Sequence, residues 1–410
     1  MAQSFIWADF IFIKWRRVYL RMDLIFGIII GLVVLTILVG LHELGHAMAA
    51  KKNGVKLKEY GLGFPPNIIK FETKTDKILP KGTPIAINWI PLGGYVKLQG
   101  ENDSDSGEGD YGAASFWGKT QILFAGVAMN WLVAIILFAF LALFGLPKML
   151  PNQFYISSDA RITGGEIIAV QVVDNLPAAK AGIRRGDQIL KINGQKIENS
   201  EQISNITKNN AGKNIDIEII RDGKSYIKSA KVRSNNEDKK GYLGLGSDSN
   251  SQKIHSTWSA PIVGLGVTAQ LSVETFRSLG ELISNTVTGF VQKISSSPKT
   301  QQIANEKLEK AGKSVAGPLS ILGILFPTAA QSGLETVLLL SALISLSLAC
   351  MNVLPIPVLD GGRWLLTLIY RKVLRKTLTK EREEQILTYG VYAMLILTIL
   401  VIILDIGRFF

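Results

Sequence analysis

The chain has 410 residues, 47% of them hydrophobic and 19% charged, with a mean hydropathy of +0.25 and a formal net charge of +12. That is too apolar for an average soluble enzyme and too charged for a bare bundle of spans, so membrane helices joined to at least one aqueous domain are expected. The excess of Lys and Arg points to basic loops on the cytoplasmic side, and no basic run is interleaved with aromatics as a nucleic-acid surface would be, so no nucleic-acid partner is expected.

Residues 1–23 mix aromatics with Arg16, Arg17 and Arg21 and read as an interfacial segment without an assigned function. Residues 24–52 form the first span. The run is too long for a signal-peptide core, although Ala47-Met48-Ala49 imitates a cleavage site. Residues 53–118 form a polar loop. Within it, Gly61 to Pro66, Ile85 to Ile90 and Pro91 to Lys97 read as short strands or hairpins, and the acidic, Gly/Ser-rich 101–115 reads as a mobile linker. A second span covers 119–147, followed by a linker at 148–164. Residues 165–247 carry an α+β pattern with a helix start at Pro177, a turn at Arg185-Gly186-Asp187 and the hairpin turn Asn193-Gly194. An amphipathic helical connection is expected over 248–333, a third span over 334–359, a basic helix over 360–383 and a fourth span over 384–410.

Orientation follows from the basic residues between spans three and four, Arg363, Arg371, Lys372, Arg375, Lys376, Lys380 and Arg382. They place that connection and the 53–118 loop in the cytoplasm, and the 165–247 domain and both termini outside. The smaller basic cluster at 14–21 argues the other way. The single cysteine, Cys350, excludes an internal disulfide framework and is expected to be a buried structural thiol.

Inside the first span stands His42-Glu43-Leu44-Gly45-His46. Histidines four apart share one helix face, about 6 Å apart in rise, so both imidazoles reach one ion. Glu43 then lies beside the metal, where it can take a proton from a metal-bound water. With Lys51 and Lys52 at the interface, His46 lies about 7 Å and His42 about 13 Å inside the membrane. Two of the three histidines are used here, so a third ligand is expected to be a carboxylate or His255. A carboxylate candidate ends the third span. In Asn352-Val-Leu-Pro-Ile-Pro-Val-Leu-Asp-Gly-Gly362, Pro355 and Pro357 fix an extended stretch before Asp360, which would complete a two-histidine, one-carboxylate site with a position open for water. Taken alone, Asp360 reads equally well as the N-cap of the following helix.

The His-Glu-x-x-His motif, the Asn352 to Gly362 segment and the Pro91-Leu-Gly-Gly-Tyr-Val-Lys97 loop together resemble the site-2 protease family of intramembrane zinc metalloproteases, in the bacterial regulator-of-sigma-E protease branch. The resemblance covers nearly the whole chain. It implies Zn2+ bound by His42, His46 and Asp360, with Glu43 as catalytic base. Asn352 and the loop residues Gly93, Gly94 and Tyr95 would position substrate, the loop being a membrane-associated β element that presents an extended peptide by strand addition. Residues 165–247 resemble a PDZ domain through Pro177-Ala-x-x-Ala-Gly-Ile-x-x-Gly-Asp187 and Ile189-x-x-Ile-Asn-Gly194. Leu243, Gly244, Leu245 and Gly246 would form its peptide groove. They follow the core, which suggests a circular permutation; a plain strand turn is the alternative.

The fold expected is thus a polytopic α-helical membrane protein with four spanning helices, an inserted extracytoplasmic PDZ domain and a membrane-associated β loop. The implied activity is cleavage of single-span membrane proteins in the bacterial inner membrane by a monomer, toward the cytoplasmic side. An anti-sigma factor or remnant signal peptides are the substrates the family suggests. A binding module without catalysis finds no support, because every ligand is present. An ion transporter would need internal repeats and further buried charges that are not seen.

Overall fold

The computed structural model describes residues 3–409 apart from 198–199, 238–239, 250–251, 294–300, 304 and 307–316. The polar stretch 298–314 lies largely outside the described residues. The chain divides into two compact units, one formed by Met1–Leu141 with Pro261–Phe410 and one by Ala142–Ala260.

In the first unit α1 (Gln3–Lys52) is a single helix of 50 residues, so the segment expected to lie at the interface continues into the span without a break. Among the described residues, three helical stretches are long and apolar enough to cross a bilayer: Met22–Lys52, α2 (Phe116–Phe144) and, preceding Asp360, α6 (Leu334–Asn352). On α1, Ile25, Ile29, Val33 and Ile37 recur every four residues and are each half exposed. Such an apolar stripe is costly in water and suits lipid. A further long helix, α8 (Lys380–Phe409), covers the region of the expected fourth span.

Small residues let these helices approach closely. A Cβ on Gly45 would strike the Ala125 carbonyl of α2, and one on Gly31 would come within 2.6 Å of the Phe326 ring. Phe326 belongs to a helical run that was expected to be part of a connection: Pro318–Ser320, a π-helical Ile321–Leu325, then Phe326–Ser332. It is apolar and packs on α1, with Phe326, Pro327 and Ala329 buried. Gly333, at φ 105°, then turns the chain into α6. Before it, α5 (Ala260–Lys293) occupies the expected amphipathic connection, and a Cβ on its Gly264 would lie 2.8 Å from the Ala139 nitrogen.

The 53–118 loop holds two long strands in place of several short ones, β1 (Leu57–Glu72) and β2 (Pro84–Leu98), paired antiparallel. Tyr60 faces both Ile85 and Val96, and Leu62 faces both Ile87 and Gly94. Meanwhile Ile69 and Phe71 pair back onto Ile87 and Ile85. Each strand therefore folds on itself, β1 near Gly63 to Pro66 and β2 near Pro91 to Gly93. The result is a four-segment layer whose last edge is Gly94 to Leu98. It is fastened to α1 by Tyr60, whose hydroxyl donates to Gly40 O at 2.7 Å, and by Thr36, which donates to Pro91 O at 2.6 Å.

The 101–115 segment, expected to be mobile, is ordered. Asp103 and Tyr111 are buried, and Asp103 accepts from Lys119, Arg371 and the Leu378 backbone. Buried cations draw this one carboxylate inward, which its acidic, Gly/Ser-rich surroundings conceal. The basic region at 360–383 is a shorter helix than expected. α7 (Asp360–Leu368) passes into a π-helical Ile369–Val373, and α8 begins at Lys380.

The second unit carries a small sheet of β3 (Leu146–Pro147), β11 (Lys253–His255) and β4 (Arg161–Thr163), and a larger antiparallel sheet in the order β10-β5-β6-β8-β9, with β7 paired to β6. The strands of the larger sheet are β5 (Ile167–Val172), β6 (Gln188–Ile192), β7 (Gln195–Lys196), β8 (Asn214–Arg221), β9 (Lys224–Lys231) and β10 (Leu245–Ser249). Ile215, Ile217 and Ile219 alternate inward from β8 against Ile167, Ile189 and Ile192, as a strand period of two requires. Asn193-Gly194 and Asp222-Gly223 both have positive φ at both positions, the condition for two-residue hairpins. α3 (Pro177–Lys180) begins at the proline read as a helix start, and α4 (Ser200–Asn209) packs beside β10.

Candidate active site

The two histidines of α1 are one turn apart, and their rings meet edge to face at 4.6 Å between centroids. His42 Nε2 and His46 Nε2 are 3.0 Å apart. Asp360 Oδ2 is 3.1 Å from the first and 3.4 Å from the second. Asp360 is the first residue of α7, and Leu359 occupies the N-cap, so the capping alternative does not hold. The aspartate is brought in by an abrupt turn that only glycine permits: Cβ atoms on Gly361 and Gly362 would overlap the Val353 and Ile356 carbonyls.

These residues fit a metal. Asp360 Oδ2 is buried without a hydrogen-bond partner among the described residues. Three electron-pair donors converge there, and ligands around a tetrahedral zinc at about 2 Å stand roughly 3.3 Å from one another. His42, His46 and Asp360 are also the metal-capable group found among the described residues. The remaining histidine, His255, lies in the second unit with Nε2 3.0 Å from Thr163 Oγ1, and is not part of this group.

Glu43 shares a cavity of about 330 Å³ with the three ligands and with Asn352, the last residue of α6. Val96 and Leu98 line the cavity. Gly94 lies against α1: its Cβ would be 3.6 Å from Gly40 Cα and 3.7 Å from Glu43 Cγ. Gly93, at φ 95°, makes the fold in β2. Tyr95 is directed elsewhere, its hydroxyl donating to Glu59 Oε1 at 2.8 Å. That bond, with Lys70 and Lys97 nearby, holds the Glu59 carboxyl below its ordinary value.

The sequence reading missed α2 entirely as part of the site. His46 Nδ1 is 2.7 Å from Ile122 O, and the Asn130 carboxamide is 3.2 Å from His42 Nδ1. Gly126 lies between them, where any Cβ would overlap the His46 ring. One signal was available, a buried-type amide, Asn130, inside an apolar span. In the second unit, Leu243 is buried in the core. Val173 N–H donates to Gly244 O at 2.9 Å, and Leu245 and Gly246 open β10 at the sheet edge. Ser200, which opens α4, donates to Ser247 O at 2.9 Å, so α4 is tied to β10 just after residues 243–246.

The profile of peptidase family M50 matches residues 30–398. The chain belongs to that family, and it is a zinc metalloprotease. Among its relatives, a Campylobacter jejuni protein named "Putative zinc metalloprotease Cj1068" is 29% identical over 92% of each chain. A Helicobacter pylori relative, also named as a zinc metalloprotease, is 27% identical over 93% of this chain and 99% of its own. One from Clostridium perfringens is 28% identical over 92% of this chain and 98% of its own. A solved PDZ domain of an SdrC-like protein from Listeria innocua is similar over 20% of this chain and 92% of that one, at 26% identity and a TM-score of 0.18. The apolar helices and the family together make this a membrane protein.

Proposed function

We propose that this M50 peptidase cleaves the transmembrane segments of single-span membrane proteins, within the bilayer and toward its cytoplasmic side. The observation that carries the reading is the convergence of His42, His46 and Asp360 with Glu43 on the interior part of an apolar helix, beside a free strand edge. Bound zinc would lower the pKa of a coordinated water toward 7 and polarise the scissile carbonyl.

The chain's own groups do the rest. Glu43, beside the ligands, accepts a proton during attack and returns it to the departing amine. A helix hides its peptide bonds, so the substrate must be extended. The Gly94 to Leu98 edge offers backbone groups to such a strand and lays it across the Glu43 cavity. Asn352, which lines the same cavity, would hold the substrate carbonyl or backbone.

The edge strand β10, with α4 tied beside it, supports a PDZ role for the inserted unit, restricting entry or holding newly exposed chain ends outside the cytoplasm. In a bacterial inner membrane the substrates would be a trimmed anti-sigma factor or remnant signal peptides, met by a monomer with four spans. Replacing Glu43 with Gln tests the reading. Metal content should be unchanged, and cleavage of a single-span reporter should fall about 10²- to 10⁴-fold. Undiminished cleavage would remove Glu43 from its role. Comparing membrane fragments of wild-type and Glu43→Gln cells would then identify the substrate.

A further inference from the structure

Every four residues along α2 stands a group that meets an imidazole of α1. Ile122 offers its carbonyl to His46 Nδ1 at 2.7 Å, Gly126 leaves room for both rings, and Asn130 brings its carboxamide to 3.2 Å from His42 Nδ1. α2 supplies no metal ligand, yet one of its faces seats both histidines.

A histidine that gives Nε2 to a metal keeps its proton on Nδ1, and in a buried site that proton needs an acceptor. For His46 the acceptor is fixed, because a backbone carbonyl can only accept. His42 is different. The group drawn toward its Nδ1 is the Asn130 amide nitrogen, a donor, while Asn130 Oδ1 is buried without a partner among the described residues. A half-turn of the carboxamide brings the acceptor to the His42 proton, since its two ends have the same shape and opposite hydrogen-bonding character. Oδ1 then accepts from His42 Nδ1–H, and the amide NH2 takes the buried place that Oδ1 held. The backbone at this position is held independently: Ser345 of α6 donates to Asn130 O at 2.9 Å, with both residues fully buried.

We infer that Asn130 is a positioning residue for the metal site. Its side-chain carbonyl holds the His42 Nδ1 proton and so presents Nε2 to the metal. The inference rests on the metallopeptidase reading above.

Full-length protein in detergent tests it, with zinc affinity measured by chelator competition for wild type, Asn130→Leu and Asn130→Asp. Leu keeps the volume and removes the acceptor, so affinity should fall about 10- to 100-fold. Asp can only accept, so it should bind within a few-fold of wild type. Unchanged affinity in Asn130→Leu, or an equal loss in Asn130→Asp, would overturn the inference. Nitrogen NMR of the histidine rings in zinc-loaded wild type covers the case in which a variant does not fold. With three histidines in the chain, assignable by substitution, His42 should carry its proton on Nδ1. A bare Nδ1 would refute the assignment. Wild-type protein that binds no stoichiometric zinc would instead refute the metallopeptidase reading itself, whatever the variants do.

Discussion

Arg371 grips Asp103 with its guanidinium, Nε standing 3.0 and 2.9 Å from the two carboxylate oxygens. The same carboxylate receives Lys119 Nζ and the Leu378 N–H, and Glu383 accepts from the Asp103 backbone at 2.8 Å. One buried side chain thereby joins the loop after β2 to the start of α2 and to the segment between α7 and α8. α7 carries Asp360, so this clasp holds the far end of the helical run that begins at the third metal ligand.

Asp103→Asn is therefore expected to lower the thermal midpoint of unfolding, because it leaves the buried Lys119 and the partly buried Arg371 without their anion at a cost of about 3 kcal/mol. The pH dependence has a definite sign. Burial opposes ionisation of Asp103, but Lys119, the Leu378 N–H and Arg371 outweigh it and hold the carboxyl below its ordinary value. Its contribution is present above the unfolded value near 4 and is lost as pH falls through the lower folded one. Scans of midpoint against pH should show wild type losing this increment on acidification and Asp103→Asn lacking it. Parallel curves would remove the clasp from the account.

Gly126→Ala tests the fit between α1 and α2. A single methyl at this position overlaps His46 and comes within 2.7 Å of His42 Cε1. Alanine is the better helix former, so a loss cannot come from helix propensity. Zinc affinity should drop at least about tenfold, as for other disturbances of a ligand's support. Full metal occupancy with native affinity would show that the rings have other room.

How much of this was legible in the sequence varies with how local the signal is. His42, Glu43 and His46 are legible because four-residue spacing on a helix is a local pattern, and Asp360 because two prolines and two glycines announce a constrained turn. Asn193-Gly194 and Asp222-Gly223 declare their hairpins in the same way. Gly126 and Asn130 are silent because their meaning depends on which helix lies opposite. Asp103 misleads, since its neighbours Asp105, Glu108 and Asp110 look like a solvated acidic linker, while two of its partners, Arg371 and Leu378, lie 268 and 275 residues away. The folding of β1 and β2 back on themselves is equally non-local: alternation marks the strands, but register decides which edge stays open.

Val96→Pro tests that open edge. Val96 lies on the last strand segment and lines the Glu43 cavity, so proline removes a backbone donor from an edge where proline is otherwise tolerated. Metal affinity should be unchanged, while kcat/KM for an extended or single-span reporter should fall about tenfold, or ~1.4 kcal/mol, from lost strand addition. A kcat/KM equal to wild type would mean that substrate enters by another side of the cavity.

The inserted unit has its own anchor. Asp187 is almost fully buried and receives Arg221 Nε and a second guanidinium nitrogen, each at 2.6 Å, while the Arg184 N–H donates at 2.7 Å. Arg221 also donates to Gly182 O at 2.8 Å, which ties β8 to the turn after α3. Burial works against ionisation of Asp187, but these partners hold its carboxyl below the ordinary range. Arg221→Met keeps much of the side-chain volume and strands the carboxylate, at a cost of about 3 kcal/mol. Hydrogen exchange of the full-length protein should then accelerate in β6 and β8 and remain unchanged in α1 and α2. The increment belongs above the unfolded value of Asp187 and disappears as pH falls through the folded one, so the two proteins should converge in acid. Equal protection of β6 and β8 in both proteins at neutral pH would reduce the pair to a surface ornament of the turn.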